Sequence, residues 1–169
     1  MKISIIYYSE TGCTHQAAEW IAAGADSVPH TETKLFNLCG GAAPDTQWVT
    51  ESDAVIFGTP TYYANMCWQM KQWFDASGRN FALAGKLGAA FATENSPFGG
   101  GGELAVTAML EHMLVYGMVV YSSGSSCGQP FIHTGPTIVR DVLEERRPLC
   151  EIFGRRIAEK AHALFEKER

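Results

Sequence analysis

Positive charge is scarce in this chain where an anion site would ordinarily recruit it. Thirteen lysines and arginines stand against 18 aspartates and glutamates, for a net charge of -5, and no basic residue lies between Lys2 and Lys34. Without a basic face there is no counterion release to drive nucleic-acid binding, and no polybasic cluster to seat the chain on an anionic membrane. The densest basic group, Arg146-Arg147 with Arg155-Arg156, is interleaved with acids and reads as a solvated helix face. Long apolar runs are also missing, so no membrane span is expected. The five cysteines (Cys13, Cys39, Cys67, Cys127, Cys150) are odd in number and show no CxxC spacing. That disfavours a disulfide framework or a structural zinc site, and no metal is expected. Met1 leads straight into KISIIYY without a signal-peptide pattern. The expectation is a soluble, cytoplasmic protein of one domain over residues 1–169.

What is present alternates between two periods. Short apolar runs bounded by turn residues recur as ISIIYY (3–8), TKLFNL (33–38), AVIFG (54–58), LGAAFAT (87–93) and GMVVYS (117–122). Several are apolar on both faces, as strands of a parallel sheet covered on both sides should be. Between them lie helix-length segments. Ala17 and Ile21 mark one over 14–25, Met66, Met70, Trp73 and Phe74 one over 64–77, and Leu104, Ala108, Met109 and Met113 one over 103–115. A last helix presents Leu149, Ile152, Phe153, Ile157, Ala161, Leu164 and Phe165. Its start has two readings: near 142, after a capping box of Asp141 and Glu144, or near 148, because Pro148 favours a first turn. Alternating strands and helices predict a doubly wound α/β sheet whose strand-to-helix loops share one edge, the usual ligand edge. The stretches 40–44, 95–102 and 122–136 are read as loops within the domain.

The first of these edge loops is unusual. In SETGCT (9–14) three hydroxyl residues, Ser9, Thr11 and Thr14, and one glycine, Gly12, precede a helix. Free N–H groups and the positive end of a helix dipole there favour an anion, and Gly12 lets the backbone curl close to it. The same cluster also serves as an ordinary N-cap, and residue types alone leave both readings open. Other phosphate loops fail on what they lack: GxxxxGK[ST] is absent, the loop has one glycine and not GxGxxG, and no arginine follows Cys13 as a cysteine phosphatase would need. Two further edge loops follow strands three and four. One is GTPTYYANMCWQMK (58–71), stiffened by Pro60 and carrying adjacent aromatics; the other is TENSPFGGGGE (93–103), rich in exposed backbone amides.

These three loops resemble a known family. Ser9-x-Thr11-Gly12-x-Thr14 is similar to the flavodoxin loop for the phosphate of flavin mononucleotide (FMN). FGTPTYYANMCWQMKQWFDASG (57–78), FATENSPFGGGGE and YGMVVYSSG resemble the FMN-dependent NAD(P)H:quinone oxidoreductases of the tryptophan-repressor-binding-protein-like type, within the flavodoxin-like superfamily. The resemblance implies a three-layer sandwich around a five-stranded parallel sheet of order 2-1-3-4-5. It implies that Ser9, Glu10, Thr11, Gly12, Cys13 and Thr14 hold the FMN phosphate, and that Thr61, Tyr62 and Tyr63 after Pro60 line the isoalloxazine. Thr93, Glu94 and Asn95, with Gly99 and Gly100, would lie along the ring's polar edge and the ribityl chain.

Three positions depart from the family pattern. Val115-Tyr116 stands where a histidine often precedes the Gly-Met of strand five, 39–52 is shorter than the usual connection, and Glu94 replaces a small neutral residue. The activity implied is hydride transfer from NAD(P)H to the flavin and on to a quinone-like acceptor, in a dimer or tetramer, with no side chain demanded as acid or base. His133, in QPFIHTGP, reads either as a loop histidine or as a group polarising the acceptor. The rivals are a flavodoxin-type electron carrier with no substrate of its own and a flavin-binding module without turnover.

Overall fold

The structure, a computed structural model, describes residues 1–41 and 43–166. Its strands are β1 (Lys2–Tyr7), β2 (Glu32–Asn37), β3 (Ala54–Tyr62), β4 (Asn65–Met66), β5 (Leu87–Glu94), β6 (Val119–Val120) and β7 (Thr137–Val139). Its α-helices are α1 (Cys13–Asp26), α2 (Thr46–Glu51), α3 (Trp68–Gln72), α4 (Gly102–Val115) and α5 (Arg147–Phe165).

Five strands pair in parallel in the order β2-β1-β3-β5-β6. The flavodoxin-like α/β architecture is therefore present, but the sheet has seven strands and not the expected five in the order 2-1-3-4-5. Two local events add the extra strands. First, β3 does not stop at Gly58; it runs on to Tyr62 and folds back, pairing Thr61 with Met66 and Tyr62 with Asn65 in an antiparallel hairpin. Helix α3 consequently starts at Trp68 and not at 64, and it widens into a π-helical segment over Trp73–Ser77. Second, the apolar run 117–122 pairs with β5 only at Val119 and Val120. Ser123 (φ 70) and Gly124 (φ 61) then turn the chain away, and β7 returns to pair with the other end of β5, matching Thr93 to Ile138. Alternation of apolar residues cannot reveal where such a strand is interrupted.

Helix α2, within a stretch read as a bare connection, is nucleated by Asp45, whose carboxylate accepts the Trp48 N–H at 3.0 Å. Of the two readings for the last helix, the later holds: it begins at Arg147, with Pro148 in its first turn.

Two cores flank the sheet. Ile3, Ile5, Ile56 and Phe91 face α1 and α5, whereas Ile6, Val55, Phe57 and Ala90 face α2, α3 and α4. Successive side chains of a strand alternate between these layers, which is why the strands are apolar throughout. On the first face α1 and α5 approach to backbone contact. A Cβ on Gly24 would stand 2.0 Å from the Glu151 carbonyl oxygen, and one on Gly154 1.9 Å from that of Ile21.

Candidate functional site

Register places the three edge loops side by side. Tyr7 pairs with Gly58, Gly58 with Phe91 and Pro60 with Thr93, so the chain leaves β1, β3 and β5 at one edge of the sheet.

The loop after β1 is built from both sides. Asn37, at the end of β2, accepts the Ser9 N–H at 3.0 Å and donates to the Ser9 carbonyl at 3.0 Å, while also accepting the Cys39 N–H. Ser9 is thereby buried with its backbone committed. Beyond it Glu10, Thr11 and Gly12 are exposed, and Cys13 is half-buried. Gly12 has φ 102 and makes no side-chain cap, so helix α1 opens onto solvent with its N-terminus uncapped. That left-handed turn is easy only for glycine. Thr14 is buried, and its hydroxyl meets that of Thr93 at 2.8 Å.

The loop after β3 is a tight hairpin. Tyr63 (φ 52) and Ala64 (φ 58) both occupy the left-handed region, an unfavourable place for residues with a side chain. Pro60 and Thr61 are half-buried, Tyr62 is partly exposed and Tyr63 stands fully in solvent. The Thr61 hydroxyl is buried without a partner. Beside the hairpin lies a groove of about 670 Å³ lined by Tyr62, Tyr63, Met66, Trp68, Lys71 and Gln72. Burial raises the Tyr62 phenol above its ordinary value, and burial with the nearby Glu10 pushes Tyr8 up to about 12, so both remain proton donors near neutral pH.

The loop after β5 is held by Glu94. Its carboxylate accepts the Gly102 N–H at 2.9 Å, at the N-terminus of α4, where the dipole favours a negative charge. The glycines fit around it. A Cβ at Gly100 would sit 2.5 Å from Glu94 Oε2, and one at Gly101 2.5 Å from the Ala64 Cβ. Asn95 and Gly99 are exposed at the loop's crest. Glu94, read as a neighbour of the flavin edge, spends its charge on this helix terminus. His133 is exposed on the 122–136 loop, where its carbonyl accepts the Ser122 hydroxyl at 2.6 Å.

The arrangement offers an uncapped helix end with hydroxyls, a rigid aromatic hairpin and a glycine-rich loop along one sheet edge. The sequence profile described as NADPH-dependent FMN reductase matches residues 1–129. The chain belongs to this family.

Within the FMN reductase family and its flavodoxin-like relatives, the chain is 45% identical over 165 residues to a protein of Clostridium saccharobutylicum named flavodoxin, covering 98% of this chain and 100% of that one. It is 32% identical over 203 residues to an NAD(P)H dehydrogenase (quinone) of Syntrophobacter fumaroxidans, covering 97% and 98%. Among solved structures it is similar to a flavodoxin from the domain Archaea, with TM-score 0.76, 25% identity and coverage of 95% and 99%. A WrbA-like protein from Agrobacterium tumefaciens shares the fold at TM-score 0.78 and 24% identity, covering 96% and 98%.

The residues present fit FMN. Free amides on an uncapped helix suit a dianionic phosphate without a lysine, and the orphaned Thr61 hydroxyl lacks the partner a buried hydroxyl ordinarily has. Two residues of the site were not singled out in the sequence. Asn37 carried one signal, a polar side chain closing a strand that leads to the ligand edge. Trp68 carried none, because its 65% exposure on an otherwise apolar stretch appears only in three dimensions. No helix among the described residues is long and apolar enough to cross a membrane.

Proposed function

We propose that this FMN-dependent oxidoreductase draws electrons from NAD(P)H and delivers them in pairs to quinones or similar small acceptors. The amides of Glu10 to Thr14 and the hydroxyls of Ser9, Thr11 and Thr14 would hold the FMN phosphate. Thr61, Tyr62 and Tyr63 would border the isoalloxazine. Thr93, Glu94, Asn95, Gly99 and Gly100 would shape the opposite loop, with Glu94 acting through the backbone it anchors. FMN supplies the redox chemistry when bound, and the chain supplies position, exclusion of water and fixed dipoles.

The observation that carries this reading is the groove of about 670 Å³ beside Tyr62, Tyr63 and Trp68. It is a flat, aromatic-walled cleft, suited to a nicotinamide or a quinone ring. The NAD(P)H dehydrogenase (quinone) relatives, at 30–33% identity, support the same reading. One observation favours a second reading, an electron carrier without a substrate of its own: the 45%-identical relative is named flavodoxin. Assembly into a dimer or tetramer belongs to the first reading and is checked by sedimentation.

Anaerobic mixing of the FMN-loaded protein with NADH or NADPH, with and without a naphthoquinone, separates the two. Flavin bleaching by the nicotinamide and its recovery on adding quinone, with ping-pong kinetics, is the expected result. Failure of both nicotinamides to reduce the flavin within minutes assigns the chain to the carriers.

A further inference from the structure

On the far side of α3 from the hairpin groove lies a second cavity, of about 500 Å³, between that helix and the segment following β2. Its walls include Tyr8, Leu38, Pro44, Trp68, Trp73 and Phe81. None of residues 9–14, 60–63 or 93–100 lines it, so it stands apart from the site assigned to FMN. No lysine, arginine, aspartate or glutamate lines it either, so a charged guest would find no counterion there.

Two polar groups in this wall are unsatisfied. Trp73 is only 5% exposed, and its indole Nε1 has no hydrogen-bond partner. Gln69, one turn earlier on α3 and also part of the wall, has a buried Oε1 without a partner. Buried donors and acceptors are nearly always paired, and an orphaned pair in one cavity wall marks the place of something that satisfies both. The backbone supplies a third observation. The helix widens to π-helical geometry at Trp73, and such single-turn distortions gather at functional sites. Trp73 is further fixed by stacking on Phe81, with ring centroids 5.4 Å apart, so its N–H is preset and not free to turn toward solvent.

From these observations we infer that the cavity binds a neutral, planar bicyclic aromatic compound carrying a carbonyl and an adjacent N–H or O–H. The carbonyl accepts the Trp73 Nε1–H, the ligand's N–H or O–H donates to Gln69 Oε1, and the ring lies among Tyr8, Trp73 and Phe81. The volume falls in the range of small-molecule sites. Trp68, Gln72 and Ala76 are shared with the hairpin groove, so they form the ridge between the two sites.

The test uses 2-quinolinone, a redox-inert lactam with both groups, and follows the tryptophan indole signals of the FMN-loaded protein in a ¹H–¹⁵N spectrum. The Trp73 signal is identified by its loss in Trp73→Phe. Saturable movement of that signal is expected, with affinity at least tenfold weaker in Gln69→Leu and FMN affinity unchanged, the latter read from flavin fluorescence. N-methyl-2-quinolinone, which lacks the N–H, should bind the wild-type protein at least tenfold more weakly, a comparison that holds even if Gln69→Leu fails to fold. An unmoved Trp73 indole overturns the inference. So does equal binding of the two lactams, or movement confined to signals of Tyr62 and Tyr63. Because the flavin signal is read separately, failure here is distinguishable from failure of the FMN assignment.

Discussion

Thr14 and Thr93 join hydroxyls at 2.8 Å, buried, across 79 residues of sequence. The bond ties the first turn of α1 to the end of β5, so the loops expected to hold the FMN phosphate and the ring are fixed to one another. One hydroxyl donates within the pair, which leaves the other's O–H free to donate to a bound phosphate. Thr14→Val and Thr93→Val should each weaken FMN binding by about 1–2 kcal/mol, the cost of leaving a buried hydroxyl unpaired. The double variant should lose less than the sum, because the partners share one interaction. Titration of apoprotein with FMN, followed by fluorescence quenching, measures all three. Strict additivity would show that the two hydroxyls act independently.

Gly24 and Gly154 permit the close seam between α1 and α5. Replacing either with alanine puts a methyl about 2 Å from a backbone carbonyl, which no side-chain rotation relieves. Gly154→Ala should lower stability in urea by about 1–3 kcal/mol, the range for overpacking a fitted core. Elsewhere on a helix the same change would stabilise slightly, so the sign of the effect identifies the seam.

The sequence made much of this molecule legible, and the misses share a cause. Strands buried on both faces and the hydroxyl loop before α1 follow from local pattern, because each residue type there answers to its own neighbours. The β3–β4 hairpin did not, because Met66 belongs to the apolar stripe of α3 and is buried with it although it lies in a strand. The split between β6 and β7 depends on Ser123 adopting a left-handed conformation, which serine does not advertise. The role of Glu94 depended on Gly102, eight residues on, arriving at its carboxylate.

Thiol chemistry follows from burial. Cys127 is exposed, Cys13 and Cys39 are half-buried, and Cys67 and Cys150 are buried. Burial raises the Cys67 thiol above its ordinary value and pushes Cys150 up to about 12. A disulfide reagent at neutral pH should therefore label Cys127 first and Cys13 and Cys39 more slowly, leaving the other two until urea unfolds the chain. FMN should protect Cys13, which begins α1 at the expected phosphate. The linked effect on stability has a definite sign. Above the ordinary thiol value of 9.0 the unfolded chain sheds protons that folded Cys150 retains, so stability is full below that pH and declines between it and about 12. Labelling of Cys150 in the native protein at neutral pH would contradict this.

Ala64 rests against Gly101, where even one added methyl would come within 2.5 Å of its Cβ. The hairpin that should border the flavin is therefore braced three ways. Its two strands pair around Tyr63 and Ala64, Pro60 fixes φ at its base, and Ala64 abuts the loop after β5. A carrier that stabilises one-electron reduction needs a peptide in this loop that reorients, and here reorientation would break the ladder and disturb the neighbouring loop. Stepwise anaerobic reduction should thus convert oxidised flavin directly to the fully reduced form, with isosbestic points and little long-wavelength absorbance. Ala64→Gly separates this constraint from simple stability. It relieves a left-handed alanine, worth about 1 kcal/mol in favour of the fold, yet removes the methyl that abuts Gly101. The expected outcome is an equal or higher urea midpoint together with increased long-wavelength absorbance at half-reduction. A variant that is more stable but titrates as the wild type does would show that the brace is structural only. A wild-type protein that accumulates stoichiometric long-wavelength absorbance would show that the hairpin reorients despite its bracing, as an electron carrier requires.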